Sequence, residues 1–194
     1  IQALIADNDA KTARYYLAKF AKLMRSVLNN SRNNLIPLQD EIQTLDLYLG
    51  IEQFSRDQSF NYTIEVSGDM DPEEVMIPPL LVQPFVENAI IHGVAHRTET
   101  GQIDLEFKRK GEFLECHITD NGIGREKART IRSQQSHTHK STGLEVTQER
   151  LDILHQGEGE LMEPSIRFID LKTEDGRATG TQVIVRLPMR EEWE

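Results

Sequence analysis

Residues 77–93 read IPPLLVQPFVENAIIHG, and the reading of this stretch decides the rest. Proline lacks the N–H that a first helical turn leaves unpaired anyway, and glycine tolerates the left-handed conformation that ends a helix, so Pro79 and Gly93 predict a helix punctuated at both ends. Val82, Phe85, Val86 and Ala89 then share a core face, while Asn88 and His92, four apart, share another. The uncharged amide oxygen of Asn88 suits a hard divalent cation that keeps most of its waters and takes its other ligands from phosphates, which is the chemistry of Mg²⁺. A plainer alternative stays open at this point: Asn88 pairs with a neighbouring loop, and His92 rests on the C-terminal end of the helix dipole. Pro84 argues against the plainer one, because an interior proline costs on the order of 3 kcal/mol unless it lies near the first turn.

Downstream, HITDNGIG (117–124) runs off a strand ending at Thr119 into Asp120, Asn121, Gly122 and Gly124. A buried carboxylate at a strand end can accept a hydrogen bond from an exocyclic amine such as that of adenine, and glycines allow backbone to approach a ring closely. The same letters also make a plain turn. KSTGLEVTQERLDIL (140–154) sets Gly143 before a helix, where free N–H groups could meet phosphate, and ATGTQVIVRLP (178–188) sets Gly180 and Thr181 at the start of a last strand.

Around these motifs the texture changes once. From Thr12 to Ser31, Leu17, Phe20, Met24, Val27 and Leu28 recur at spacings of three and four, the mark of an amphipathic helix. NNSRNNLIP (29–37) interrupts it, and a second helical period runs through Leu38, Ile42, Leu45, Leu49 and Glu52. Leu47, Tyr48 and Ile51 make this second helix apolar on more than one side, so it needs a homodimer or the following domain as cover. Beyond about residue 58, NYTIEV, QIDLEFK, EFLECHIT and GTQVIVRL alternate with period two and predict strands, with helices near 79–93 and 147–155. The expected class is α+β, a mixed sheet backing helices in an α/β sandwich, with residues 1–58 as a helical hairpin and 59–194 as the second domain. The polar run from Arg125 to Thr142 reads as a mobile loop.

Composition narrows the function. A formal charge of −10 over 194 residues repels a phosphate backbone, which sets nucleic acid aside. Any anionic ligand must be held by local backbone N–H groups, a helix N-terminus or a bound cation. No run of about 18 apolar residues spans a membrane. Cys116 is the single cysteine, so no internal disulfide forms, and it reads as a packing residue. His137 and His139 could hold a metal only with a third ligand, and His96, His117 and His155 show no pairing.

The ordered set of an Asn-bearing helix, Asp-x-Gly-x-Gly, a polar lid ending in Gly-Leu, and Gly-Thr opening a strand resembles the N, G1, G2 and G3 boxes of the Bergerat-fold ATPases. Within them, PPLLVQPFVENAIIHG (78–93), together with YLAKFAKLMRSVLNN (16–30) and EIQTLDLYLGIEQ (41–53), resembles the sensor histidine kinases of the LytS type over nearly the whole chain. The resemblance implies a left-handed βαβ-like sandwich whose mixed sheet backs three helices, with ATP under a flexible lid. It implies that Asn88 ligates Mg²⁺, Asp120 binds the adenine amine, and Gly122 and Gly124 shape the adenine pocket. It further puts Gly143 and Leu144 at the lid, Thr181 beside the adenine and His92 near the phosphates, with Glu87 orienting neighbours. Where the family often has Lys this chain has Ile91, so His92, Arg125 or Lys140 would neutralise phosphate instead. The glycine run before the last helix is reduced to Gly143, after Ser141 and Thr142. ATP hydrolases of the superfamily carry a glutamate four residues before the Asn, and here that residue is Pro84.

The resemblance also implies a phosphoacceptor histidine just before residue 1, with Ile1 and Gln2 as the end of its segment, since no histidine precedes His92. The expected function is therefore ATP binding for phosphoryl transfer to that histidine and on to a response regulator. The expected setting is a homodimer through the N-terminal helices, on the cytoplasmic side of a bacterial inner-membrane sensor. Two alternatives are a degenerate docking module, motivated by Ile91 and the thin glycine run, and an ATP hydrolase, which Pro84 disfavours.

Overall fold

Alternating apolar residues build the sheet. The computed structural model describes residues 9–68, 70–134, 142–155 and 164–191. The four alternating segments form strands β2 (Phe60–Ser67), β4 (Gly101–Lys110), β5 (Phe113–Asp120) and β7 (Ala178–Pro188). Ile103, Leu105 and Phe107 of β4, Leu114, Cys116 and Ile118 of β5, and Val183, Val185 and Leu187 of β7 all enter one buried core. Each such side chain contributes roughly 1.5–3 kcal/mol by leaving water. With β6 (Ile166–Lys172) they make a five-stranded sheet of order β2-β4-β5-β7-β6. Only β2 and β4 run parallel, so the sheet is mixed, as expected.

The N-terminal hairpin forms from α1 (Ala10–Asn30) and α2 (Leu38–Ser55). Asp9 caps α1 by accepting the Thr12 N–H at 3.1 Å. The two helices meet through Tyr16 stacked on Phe54, with ring centroids 3.5 Å apart, and through buried Asn30, whose amide donates to the Thr44 hydroxyl at 3.2 Å. Leu38, Leu45 and Leu49 of α2 belong to the same apolar cluster as the sheet, so the sheet-bearing body covers this many-sided helix. A small second sheet of order β1-β3-β8 joins β1 (Ile36–Pro37), β3 (Val75–Ile77) and β8 (Arg190–Glu191). It ties the turn of the hairpin to the end of the chain.

Three expectations about local structure fail. The segment 79–93 is not one helix: Leu80 sits at φ +61°, the helix α3 spans Gln83–Asn88, a π-helical turn follows over Ala89–Gly93 and a 3₁₀ turn over Val94–His96. Pro84 therefore lies in the first turn, where its missing N–H costs nothing, and Gly93 has φ −89° rather than a left-handed conformation. The run from Arg125 is not a loop throughout, since α4 covers Arg125–Gln134 and α5 covers Thr142–His155. Its Arg, Lys, Glu and Ala residues are good helix formers that hydrophilicity alone concealed. Strand β6 went unread because it lies at the sheet edge, where both faces are partly wet. Ile1, Gln2, His137, His139, Lys140 and Ser141 lie outside the described residues. No helix among the described residues is long and apolar enough to cross a membrane.

Candidate functional site

The C-terminal end of β5 delivers Asp120 into the body of the protein, opposite Thr181 at the start of β7. Asp120 is 5% exposed, and its Oδ1 accepts the Gly122 N–H at 2.8 Å. Burial pushes its carboxyl up from 3.8 to about 6, against the backbone N–H groups of Gly122 and Thr181, which favour the charged form. The surrounding backbone comes very close. A Cβ on Gly93 would fall 2.8 Å from Asp120 Oδ1, and a Cβ on Gly122 would overlap the Gly93 backbone. The true demand on Gly93 is thus close approach to Asp120, not helix termination.

Asn88 and His92, from α3 and the π-helical turn after it, line the same cleft of about 320 Å³ as Asp120. The Asn88 Nδ2 donates to the Pro84 carbonyl at 2.8 Å. With its donor end held by the helix backbone, the oxygen is the end left for a ligand. Gly93, Gly124, Leu144 and Thr181 line the same cleft. Gly122 supports it from behind through the bond to Asp120, and Thr181 does so through its backbone N–H. Gly143 does not line the cleft: helix α5 begins at Thr142, so Gly143 lies inside its first turn, with its carbonyl accepting the Thr147 hydroxyl at 2.8 Å. Glu87 points elsewhere and accepts from Gln83 at 2.9 Å. Ile91 is exposed and is not part of the lining.

Several lining residues escaped the sequence reading. Arg129 and Ala128 come from α4, the helix mistaken for a loop, and Phe168 from the unread strand β6. The ring of Phe168 lies 6.5 Å from that of Phe85, and the Arg125 guanidinium sits 5.0 Å above it while its Nε pairs with Asp170 at 3.0 Å. Aromatic and apolar side chains and two arginines thus line one cleft. That chemistry suits a ligand with both a flat base and anionic charge. Among the described residues no group of three or more His, Cys, Asp or Glu side chains could hold a metal.

Comparison with known proteins gives the family and the fold. The histidine kinase family matches residues 1–60, and the histidine kinase-, DNA gyrase B-, and HSP90-like ATPase family matches residues 78–191. The chain is 35% identical over 116 residues to the Sensor protein LytS of Staphylococcus epidermidis, covering 60% of this chain and 19% of that protein. The proteins of the same name from Staphylococcus saprophyticus and Enterococcus faecalis are 33% identical over 165 residues and 30% over 189, covering 83% and 95% of this chain. The chain spans 27% and 30% of their lengths. Among solved structures, the histidine kinase domain of a blue-light activated kinase from Erythrobacter litoralis superposes with a TM-score of 0.52 at 15% identity, covering 89% of this chain and 74% of that one. A mycobacterial sensor histidine kinase, MprB, gives 0.51 at 16%, covering 81% and 97%. At such identities the likeness speaks for the fold, which is the α+β Bergerat sandwich. Fold and family matches together place this chain in the histidine kinase-, DNA gyrase B- and HSP90-like ATPase family, on its LytS-type sensor histidine kinase branch.

Proposed function

We propose that the chain binds Mg-ATP in this cleft and is the catalytic region of a two-component sensor histidine kinase. In that role it passes the γ-phosphoryl group to a protein histidine, from which an aspartate of a response regulator takes it. The observation that supports the reading is that one cleft is lined by both a buried carboxylate, Asp120, and an amide whose donor end is engaged, Asn88. Asp120 accepts the adenine amine. Gly122 and Gly124 let the base approach, and Thr181 holds Asp120 in place. Asn88 offers its oxygen to Mg²⁺, while His92 and Arg125 face the phosphates, with Leu144 beside them. Bound Mg²⁺ would neutralise the charge that develops on the transferred group. Phosphoryl transfer asks little covalent chemistry of the protein, so positioning and charge do the work.

Pro84, in the place of the glutamate that the superfamily's hydrolases carry, has no proton-accepting side chain, so steady release of phosphate is not expected. The exposed apolar stripe on α1 is the surface through which two copies pair, and the parent protein is an inner-membrane sensor with this portion in the cytoplasm. Calorimetry on Asn88→Ala tests the metal assignment. Mg-ATP binding is expected to disappear while the thermal melt stays unchanged, and an unaltered affinity would remove Asn88 from the role.

A further inference from the structure

Glu41, on the first turn of α2, is the most deeply buried carboxylate among the described residues, at 1% exposure. It lies far in sequence from every motif of the cleft. Its Oε2 accepts the Leu80 N–H at 3.1 Å, and the Val82 backbone N–H also favours its charged form. Enclosing an acidic group this completely is costly, and an apolar residue of the same size would fill the space more cheaply. The carboxylate grips an unusual piece of backbone. Leu80 is one of three non-glycine residues at positive φ among the described residues, and two residues later Val82 caps α3.

We infer that Glu41 is a positioning residue that couples the helical hairpin to the metal end of the nucleotide cleft. The path is short and continuous. Asn30 at the end of α1 bonds Thr44, one turn along α2 from Glu41. Glu41 holds Leu80, whose strained backbone sets the direction in which the chain enters α3. The first turn of α3 then carries the Pro84 carbonyl that fixes the Asn88 amide. From the opposite side Arg150 of α5 donates to the Pro79 carbonyl at 3.4 Å, so the hairpin and the helix after the lid grip adjacent residues of one loop. A movement of the hairpin therefore reaches Asn88 through Glu41, which holds both Leu80 and Val82 at the entry to α3. Asp120 enters the cleft from β5 and does not depend on this path.

The inference rests on the assignment of Asn88 to Mg²⁺, and the experiment separates the two. Nucleotide affinity is measured for ATP with Mg²⁺ and with excess chelator, in the wild type, Glu41→Leu and Glu41→Gln, each checked for a cooperative melt. Wild type is expected to gain at least tenfold in affinity from Mg²⁺. Glu41→Leu should lose that gain and keep the chelator affinity within about threefold, whereas Glu41→Gln, which retains an oxygen for Leu80, should keep most of the gain. A role confined to packing would lower the melting temperature and leave the Mg²⁺ gain intact in Glu41→Leu, which overturns the inference. No Mg²⁺ gain in the wild type overturns the Asn88 assignment instead. If Glu41→Leu does not melt cooperatively, Glu41→Asp, one methylene short of Leu80, replaces it under the same criterion.

Discussion

Asp120 shows what a binding residue costs the free protein. Its carboxyl titrates near 6 in the folded state against an ordinary value of 3.8, and burial is the leading cause. Between those two values the folded protein keeps a proton that the unfolded chain releases. This group therefore favours folding below about pH 4, and its contribution is lost as pH rises through 6. At pH 7.5 the ionised side chain destabilises the empty cleft by up to about 3 kcal/mol, taking 1.36 kcal/mol for each pKa unit. Asp120→Asn keeps an oxygen for the Gly122 N–H and removes the charge. The unliganded variant is expected to melt above wild type at pH 7.5, the two curves should converge towards pH 4, and ATP binding should be lost throughout. A variant that melts below wild type at pH 7.5 would mean that the carboxylate is already compensated in the free protein.

At the scale of elements, the segment 77–93 was legible for its contents and not for its shape. The residues of its core face are buried and Asn88 and His92 line one cleft, because side-chain spacing survives small changes of helical pitch. Its start was misread because Glu41, 39 positions earlier, holds Leu80 out of the helix, and no local signal carries that contact. The π-helical turn likewise answers to the crowding of Gly93 against Asp120 and Gly122, which joins two distant motifs. Arg129 and Phe168 were hidden for a simpler reason: α4 is strongly hydrophilic, with only Ala128 and Ile131 apolar, and β6 is an edge strand whose residues are all exposed or half-buried. Helix α5 offers a test. Gly143 sits in its first turn with nothing within 4 Å of a built Cβ, so its flexibility serves no steric need there. Gly143→Ala is expected to stabilise the protein by roughly 0.5–1 kcal/mol in chemical denaturation, with Mg-ATP affinity unchanged. Weaker binding in that variant would show that the lid needs the glycine in a second conformation.

Across the whole molecule, apolar surface is distributed unevenly. The sheet and α2 bury their hydrophobic residues in one cluster, whereas α1 leaves Tyr15, Leu17, Phe20, Met24 and Leu28 between 43% and 61% exposed. The opposite side of α1, through Ala13, Tyr16, Leu23 and Asn30, is the buried side, with Tyr16 and Asn30 meeting α2, so the stripe stays uncovered among the described residues. Leu17, Phe20, Met24 and Leu28 follow one another at spacings of three, four and four, which is the seam that packs a second helix. A continuous exposed apolar seam of this kind drives association, and a second copy of α1 supplies a matching one under two-fold symmetry. The double variant Phe20→Asp, Leu28→Asp places carboxylates at the centre and one end of the seam without touching the contacts to α2. Sedimentation velocity is expected to show a dimer for the wild type and a monomer for the variant, while ATP affinity, set in the distant cleft, stays within about twofold. A wild type that sediments as a monomer at tens of micromolar would leave the seam to another partner, and a variant with impaired ATP binding would show that pairing of the arms reaches the cleft.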